Sequence, residues 1–135
     1  MVKIILGKKG TGKTKALIEM VNTAARDEKG SVVCIEYGDK LKLDISHKAR
    51  LIDITDYPVS TNEGLEGFIG GLFAGNYDIT HVYVDSILKI VGEDLEALGT
   101  ALNKLEALTK ENDATIVALV SADAETAPES LKKFL

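Results

Sequence analysis

Short apolar runs alternate along the chain with longer stretches in which apolar positions recur every three or four residues. Alternating strand-like and helix-like periods of this kind predict an α/β fold. Val2 to Leu6 is apolar except for Lys3 and predicts a buried strand. A loop from Gly7 to Thr14 follows. From Thr14 to about Glu28, the positions Leu17, Met20, Val21 and Ala24 keep helical spacing, and Gly30 stands where a helix stop belongs. Ser31 to Tyr37 predicts a second strand whose Val32, Val33, Cys34 and Ile35 are apolar on both faces. A parallel sheet covered by helices on both sides demands such strands.

Residues 40–57 change character. Leu41, Leu43 and Ile45 alternate with Lys42 and Asp44, and Arg50 to Thr55 follows a polar break at Ser46-His47-Lys48. Alternation predicts a half-exposed strand pair here, read as an antiparallel edge hairpin. Ser60-Thr61-Asn62-Glu63 matches the S-x-x-E capping box, and Leu65, Phe68, Ile69, Leu72 and Phe73 continue at helical spacing. Gly67, Gly70 and Gly71 weaken that helix by up to about 1 kcal/mol each. Ile79 to Val84 predicts a third core strand ending at Asp85. Glu93 to about Asn112 carries Leu95, Leu98, Leu102, Leu105 and Leu108 on one stripe, a core-facing helix. Thr115 to Val120 predicts the last strand, and Pro128 to Leu135 a short closing helix.

With 135 residues the chain is one domain's worth, and neither a linker nor a repeat divides it. The expected architecture is a single-domain three-layer α/β/α sandwich, residues 1–135, around a mainly parallel sheet. Sixteen basic against 21 acidic residues leave a net charge of −5. That balance supplies no overall attraction to nucleic acid or an anionic membrane. No apolar run reaches the roughly 18 residues of a membrane span, and the N-terminal run is too short for a signal peptide core. Cys34 has no second cysteine to pair with. These features together predict a cytoplasmic protein.

Gly7-Lys8-Lys9-Gly10-Thr11-Gly12-Lys13-Thr14 fits G-x-x-x-x-G-K-[ST] at every fixed position, between an apolar strand and an amphipathic helix. The residue types follow from the chemistry. Backbone N–H groups that converge on phosphate oxygens curl the chain through conformations that glycine adopts cheaply, and no side chain fits where phosphate approaches. The helix start adds unpaired N–H groups and the positive end of its dipole. Lys13 reaches the β- and γ-phosphates as a point charge, and the Thr14 hydroxyl suits Mg²⁺. The bland alternative is a glycine-rich turn joining strand to helix. The complete pattern in this context outweighs it.

Asp85 ends the His81-Val82-Tyr83-Val84 strand, and the carboxyl ends of parallel strands line the ligand crevice. Beside a phosphate loop it is the expected metal-side carboxylate. Alone it would be an ordinary loop-capping Asp. Hydrolysis also needs a group that orients water. Ser86 follows Asp85 where many such enzymes have Glu, so Glu36, at the end of the second strand, is the substitute. Glu93 is the weaker candidate, lying several residues past Asp85 at a helix start.

This set of residues resembles the RecA-like branch of the P-loop NTPase superfamily, in particular small bacterial proteins with a Walker A and a Walker B motif. Walker A is Gly7 to Thr14, Walker B is Val82 to Asp85 followed by Ser86, and Glu36 falls where that branch carries its catalytic glutamate. The likeness covers about 2–37 and 79–121. It implies ATP with Mg²⁺ as ligands, Lys13 and Glu36 as catalytic residues, Thr14 and Asp85 at the metal, and Ser121 as γ-phosphate sensor. It also implies that the 115–120 strand separates the Asp85 strand from the first. The absence of an Asn-Lys-x-Asp guanine-reading motif favours ATP. The expected function is Mg-dependent ATP hydrolysis, slow or dependent on a protein partner or a second copy of the chain. A nucleotide-sensing module without turnover is the alternative, and a small-molecule kinase the third, disfavoured by only two arginines, Arg26 and Arg50.

Overall fold

The computed structural model describes all 135 residues. Strands β1 (Val2–Gly7), β2 (Ser31–Glu36), β3 (Ala49–Asp53), β4 (Ile79–Val84) and β5 (Thr115–Ser121) form one sheet of order β1-β5-β4-β2-β3, every pairing parallel. Helices α1 (Lys13–Asp27), α2 (Asn62–Gly75), α3 (Ile87–Val91), α4 (Leu95–Asn112) and α5 (Glu129–Lys132) cover its two faces. The fold is thus a single three-layer α/β/α sandwich, as the alternation of periods predicts. No helix is long and apolar enough to cross a membrane.

The two-sided apolar strands divide by the pleat into two cores. Ile4, Val33, Ile35, Val82, Val84, Ile116, Ala118 and Val120 pack with α2 to α5. Their neighbours Val32, Cys34, Tyr83, Val117 and Leu119 pack against α1 through Leu17, Val21, Ala24 and Ala25. Leu17 and Val21 are completely buried, a gain of about 1.5–3 kcal/mol each that clamps α1 to the sheet. The remaining gap on that face is filled by Leu41 and Ile45.

That packing overturns the antiparallel hairpin. Residues 40–45 form turns, not a strand, and β3 lies parallel to β2 with Cys34 beside Leu51 and Glu36 beside Asp53. Leu41 and Ile45 do alternate with polar residues, but they serve as two plugs from a turn, with Leu43 between them fully exposed. The capping box also moves by one residue. Thr61, not Ser60, is the N-cap of α2, and its Oγ1 accepts from the Gly64 amide at 3.0 Å. A Cβ at Gly64 would sit 3.1 Å from that hydroxyl, so the glycine is what lets Thr61 close in.

β1 is an edge strand, yet its outer edge is tied down. The Ile4 amide donates to the Phe134 carbonyl at 2.8 Å and the Val2 amide to Glu106 Oε2 at 2.6 Å. The N-terminal ammonium donates to Thr109 Oγ1 and the Ala114 carbonyl, both at 2.8 Å. These contacts hold the strand that delivers the Gly7–Thr14 loop.

Gly30 acts differently from a helix stop. Glu28 caps α1, and Gly30 lets β2 start against the turn before β4, where the pairing register shifts between Ser31 and Val32. A Cβ there would collide with the Asp78 carbonyl and the Thr80 methyl group. Gly30→Ala should therefore destabilise the fold by about 1–3 kcal/mol. A urea midpoint equal to that of wild type would show that the backbone yields at no cost.

Candidate functional site

Five parallel strands end on one rim, and α1 begins there. The pleat assigns alternate residues to one face, so on the α1 face the strands end in Gly7, Glu36, Asp53, Asp85 and Ser121. Register aligns them. Glu36 lies beside Asp53, Gly7 lies beside Ser121, and Ile35 beside Val84 brings Glu36 level with Asp85. The Asp85 amide donates to the Ile35 carbonyl at 2.9 Å, which extends the ladder to the rim.

The Gly7–Thr14 loop curls at two left-handed glycines, Gly10 with φ 83° and Gly12 with φ 84°. Side chains rarely adopt those angles. Lys13 Nζ folds back across the loop and donates to the Gly7 carbonyl at 2.8 Å and the Lys8 carbonyl at 2.7 Å. Thr11 Oγ1 also donates to the Lys8 carbonyl, at 2.7 Å. The loop is thereby held as a preformed cup. Burial pulls the Lys13 ammonium below its ordinary value, with the Asp85 charge opposing.

Helix α1 starts without a side-chain cap and without an acidic residue in its first turn. α2 and α4 are capped by Thr61 and Asp94 and carry Glu63 and Glu96 in their first turns. The first amides of α1 and its dipole therefore have no compensating group within the helix itself, a setting that favours an anion.

A cavity of 620 Å³ opens here, within the range that small-molecule sites occupy. Lys9, Gly10, Gly12, Lys13, Thr14 and Lys15 form one wall. Asp85, Ser86, Leu88, Lys89 and Glu93 form the other, with Ser121 and Leu119 at the base. Among the expected site residues, the structure thus brings together Lys9, Gly10, Gly12, Lys13, Thr14, Asp85 and Ser121. Gly7, Lys8 and Thr11 support the loop from outside the cavity, and Lys8 Nζ stands 3.8 Å from Asp123. Thr14 Oγ1 and Asp85 Oδ1 are 3.5 Å apart. One hydroxyl and one carboxylate are hard oxygen donors of the kind Mg²⁺ takes when phosphate and water complete its shell, so the pair fits that ion.

Glu36 is not brought into the cavity wall. It is 2% exposed, and its Oε1 accepts from the Lys40 amide at 2.9 Å and the Leu41 amide at 3.2 Å, closing the turn after β2. Its Oε2 takes no protein hydrogen bond. Burial raises its carboxyl above the usual range against those amide bonds, and the charges of Asp53 and Asp85 add to the rise. Asp53 goes the other way, lowered by bonds from the Thr55 hydroxyl and amide and the Gly38 amide. Cys34, beneath this row, is fully buried, and desolvation pushes its thiol up to about 12. It is an inert core residue.

Sequence reasoning missed α3 and with it Leu88 and Lys89, and it placed Ser86 only as the residue after Asp85. Ile87 and Ile90 are buried and Lys89 is the one charge in an otherwise apolar run of five residues, too short to announce a helix. Ser86 is left-handed, with φ 54° and ψ 51°. A non-glycine residue held there costs about 1–3 kcal/mol, which the packing of α3 offsets.

Comparison with protein-family models and with curated proteins finds no match to this sequence.

The raised Glu36 carboxyl makes stability fall as pH rises. Below the unfolded chain's carboxyl value both states hold the proton. Above it the unfolded chain ionises first, and stability drops until Glu36 ionises in the folded state as well. Glu36→Gln keeps the Oε1 acceptor without the charge. From about pH 4 towards neutral, its melting temperature should gain on that of wild type. A difference independent of pH would show that Glu36 is not desolvated.

Proposed function

We propose that this chain binds ATP with Mg²⁺ at the Gly7–Thr14 loop and hydrolyses it slowly or under the control of a partner, as a P-loop NTPase resembling the RecA-like branch. The observation that carries this reading is the convergence on one cavity of three features. They are the two left-handed glycines, the uncapped start of α1, and the Thr14–Asp85 pair 3.5 Å apart. The strand order, with β5 between β1 and β4, supports the same reading.

The roles follow from what each group can do. Amides of the loop and of the first turn of α1 bind phosphate oxygens. Lys13, whose Nζ donates to the Gly7 and Lys8 carbonyls, exchanges those bonds for the β- and γ-phosphates. Thr14 and Asp85 hold the metal, which when bound neutralises charge between the outer phosphates. Ser121, paired with Gly7 at the cup's base, senses the terminal phosphate. Glu36 orients the attacking water through Oε2. Its raised proton affinity suits a general base, and it stands one strand from Asp85. The net charge of −5 supplies no overall attraction to nucleic acid, so ATP is the ligand proposed.

One observation favours a second reading, that of a nucleotide sensor without turnover. The Glu36 carboxylate already holds two backbone amides and lies outside the cavity lining.

Calorimetry and a phosphate-release assay test the proposal. Lys13→Ala should lower ATP affinity by roughly ten- to a hundredfold, the loss expected for a charge-assisted bond of about 1.5–3 kcal/mol. Asp85→Asn should remove the Mg²⁺ dependence of binding. If neither substitution alters ATP binding, the cup is not the nucleotide site. Separately, Glu36→Gln should keep ATP binding and lose phosphate release. If only Glu93→Gln loses release, the water belongs to Glu93. If wild type binds ATP and releases no phosphate, the sensor reading replaces hydrolysis.

A further inference from the structure

The cavity has two walls of opposite origin. Four lysines line it, and three of them, Lys9, Lys13 and Lys15, belong to the glycine-rich loop and the first turn of α1. The fourth, Lys89, comes from α3 on the facing wall. The left-handed Ser86 turns the chain sharply after Asp85, and Gly92, with φ 94°, ends the helix after a single turn. Between these two bends Ile87 and Ile90 are anchored in the core at 1% and 3% exposure. The anchoring leaves Leu88 and Lys89 towards the cavity.

Lys89 is exposed; its amide donates to the Ser86 carbonyl at 2.9 Å, and its ammonium has neither a hydrogen bond nor an ion pair with any protein group. Its neighbour on the same wall, Glu93, does not neutralise it, although both line the cavity. An uncommitted ammonium four residues past Asp85 therefore stands across from the loop that would hold a polyphosphate.

Neither arginine can supply that charge within the chain. Arg26 sits in the last turn of α1, at the far end from the cavity, bonded to Asp27 at 2.8 Å. Arg50 is the second residue of β3, near the strand's amino end and so away from the carboxyl rim. Phosphoryl chemistry needs positive charge on the terminal group's equatorial oxygens, and an arginine from the same chain or a partner often provides it.

Resting on the reading that the cavity binds ATP, we propose that Lys89 is the cation that grips the terminal phosphate from the side opposite the loop. It therefore distinguishes a nucleoside triphosphate from a diphosphate. Thr14 and Asp85 mark the side of the cup where the β- and γ-phosphates would meet the metal, and α3 leaves the sheet two residues after Asp85. Lys89 thus reaches the outer phosphates and not the nucleoside. The charge is carried in cis by the chain itself.

The test is the ratio of ATP to ADP affinity, measured by calorimetry with Mg²⁺ on wild type, Lys89→Ala and Lys89→Arg. Lys89 is exposed, and unchanged circular dichroism and melting confirm that the variants fold. Lys89→Ala should weaken ATP by about tenfold or more while ADP stays within about twofold, and Lys89→Arg should restore most of the ratio, since guanidinium also pairs with phosphate. An unchanged ratio in Lys89→Ala, with wild type binding both nucleotides, overturns the assignment of Lys89 and leaves the nucleotide reading standing. Equal losses for ATP and ADP also overturn it, because they place Lys89 away from the terminal phosphate. Binding of neither nucleotide by wild type removes the underlying reading and the assignment together.

Discussion

A parallel strand leaves the sheet with its last side chain on one face or the other, and the pleat allows no third choice. Here the period of two places Gly7, Ser121, Asp85, Glu36 and Asp53 on the face that α1 covers, all at one rim. A slip of one residue in β2, β3, β4 or β5 would send its terminal polar group to the opposite core, among Ile35, Val84 and Val120. The cost of burying a carboxylate there defends the register as firmly as the apolar pattern does. Everything that faces the cavity depends on this alignment, including the 3.5 Å approach of Thr14 to Asp85.

The same row of acids shows how environment separates chemically similar groups. Asp53, Glu36 and Asp85 lie side by side across β3, β2 and β4. Asp53 is half-buried and receives three bonds from Thr55 and Gly38, which hold its carboxyl low against its partial burial. Glu36 is sealed under the 37–41 turn, and its two amide bonds do not fully offset desolvation, so its carboxyl rises. The turn that seals it is the segment whose Leu41 and Ile45 fill the sheet face that α1 leaves open. Packing beside the sheet and the proton affinity of Glu36 thus have one cause.

Two non-glycine residues are left-handed: Asp113 ends α4, and Ser86 stands in the cavity wall. Gly10 and Gly12 bend the loop at no steric cost, whereas Ser86 takes a left-handed conformation without that freedom. The buried Ile87 and Ile90 hold it there, and the reward is a wall that turns back over the rim instead of running on behind the sheet. Lys89 and Glu93 owe their positions to that bend.

Much of this protein is legible in its residues alone. Runs such as Val32 to Ile35 and Ile116 to Val120, apolar on both faces, can only be the inner strands of a helix-covered sheet, because any other placement exposes one face. The eight residues from Gly7 to Thr14 specify their own curl, since glycine spacing and a following helix are local properties. The 40–57 region read wrongly because its alternation arises from two plugs in a turn, and a local pattern does not say which layer a side chain enters. The burial of Glu36 and the placement of Lys89 were decided only by tertiary structure. Each depends on which strands lie side by side and on which turns fill the gaps between layers, and those are contacts between residues far apart in the chain.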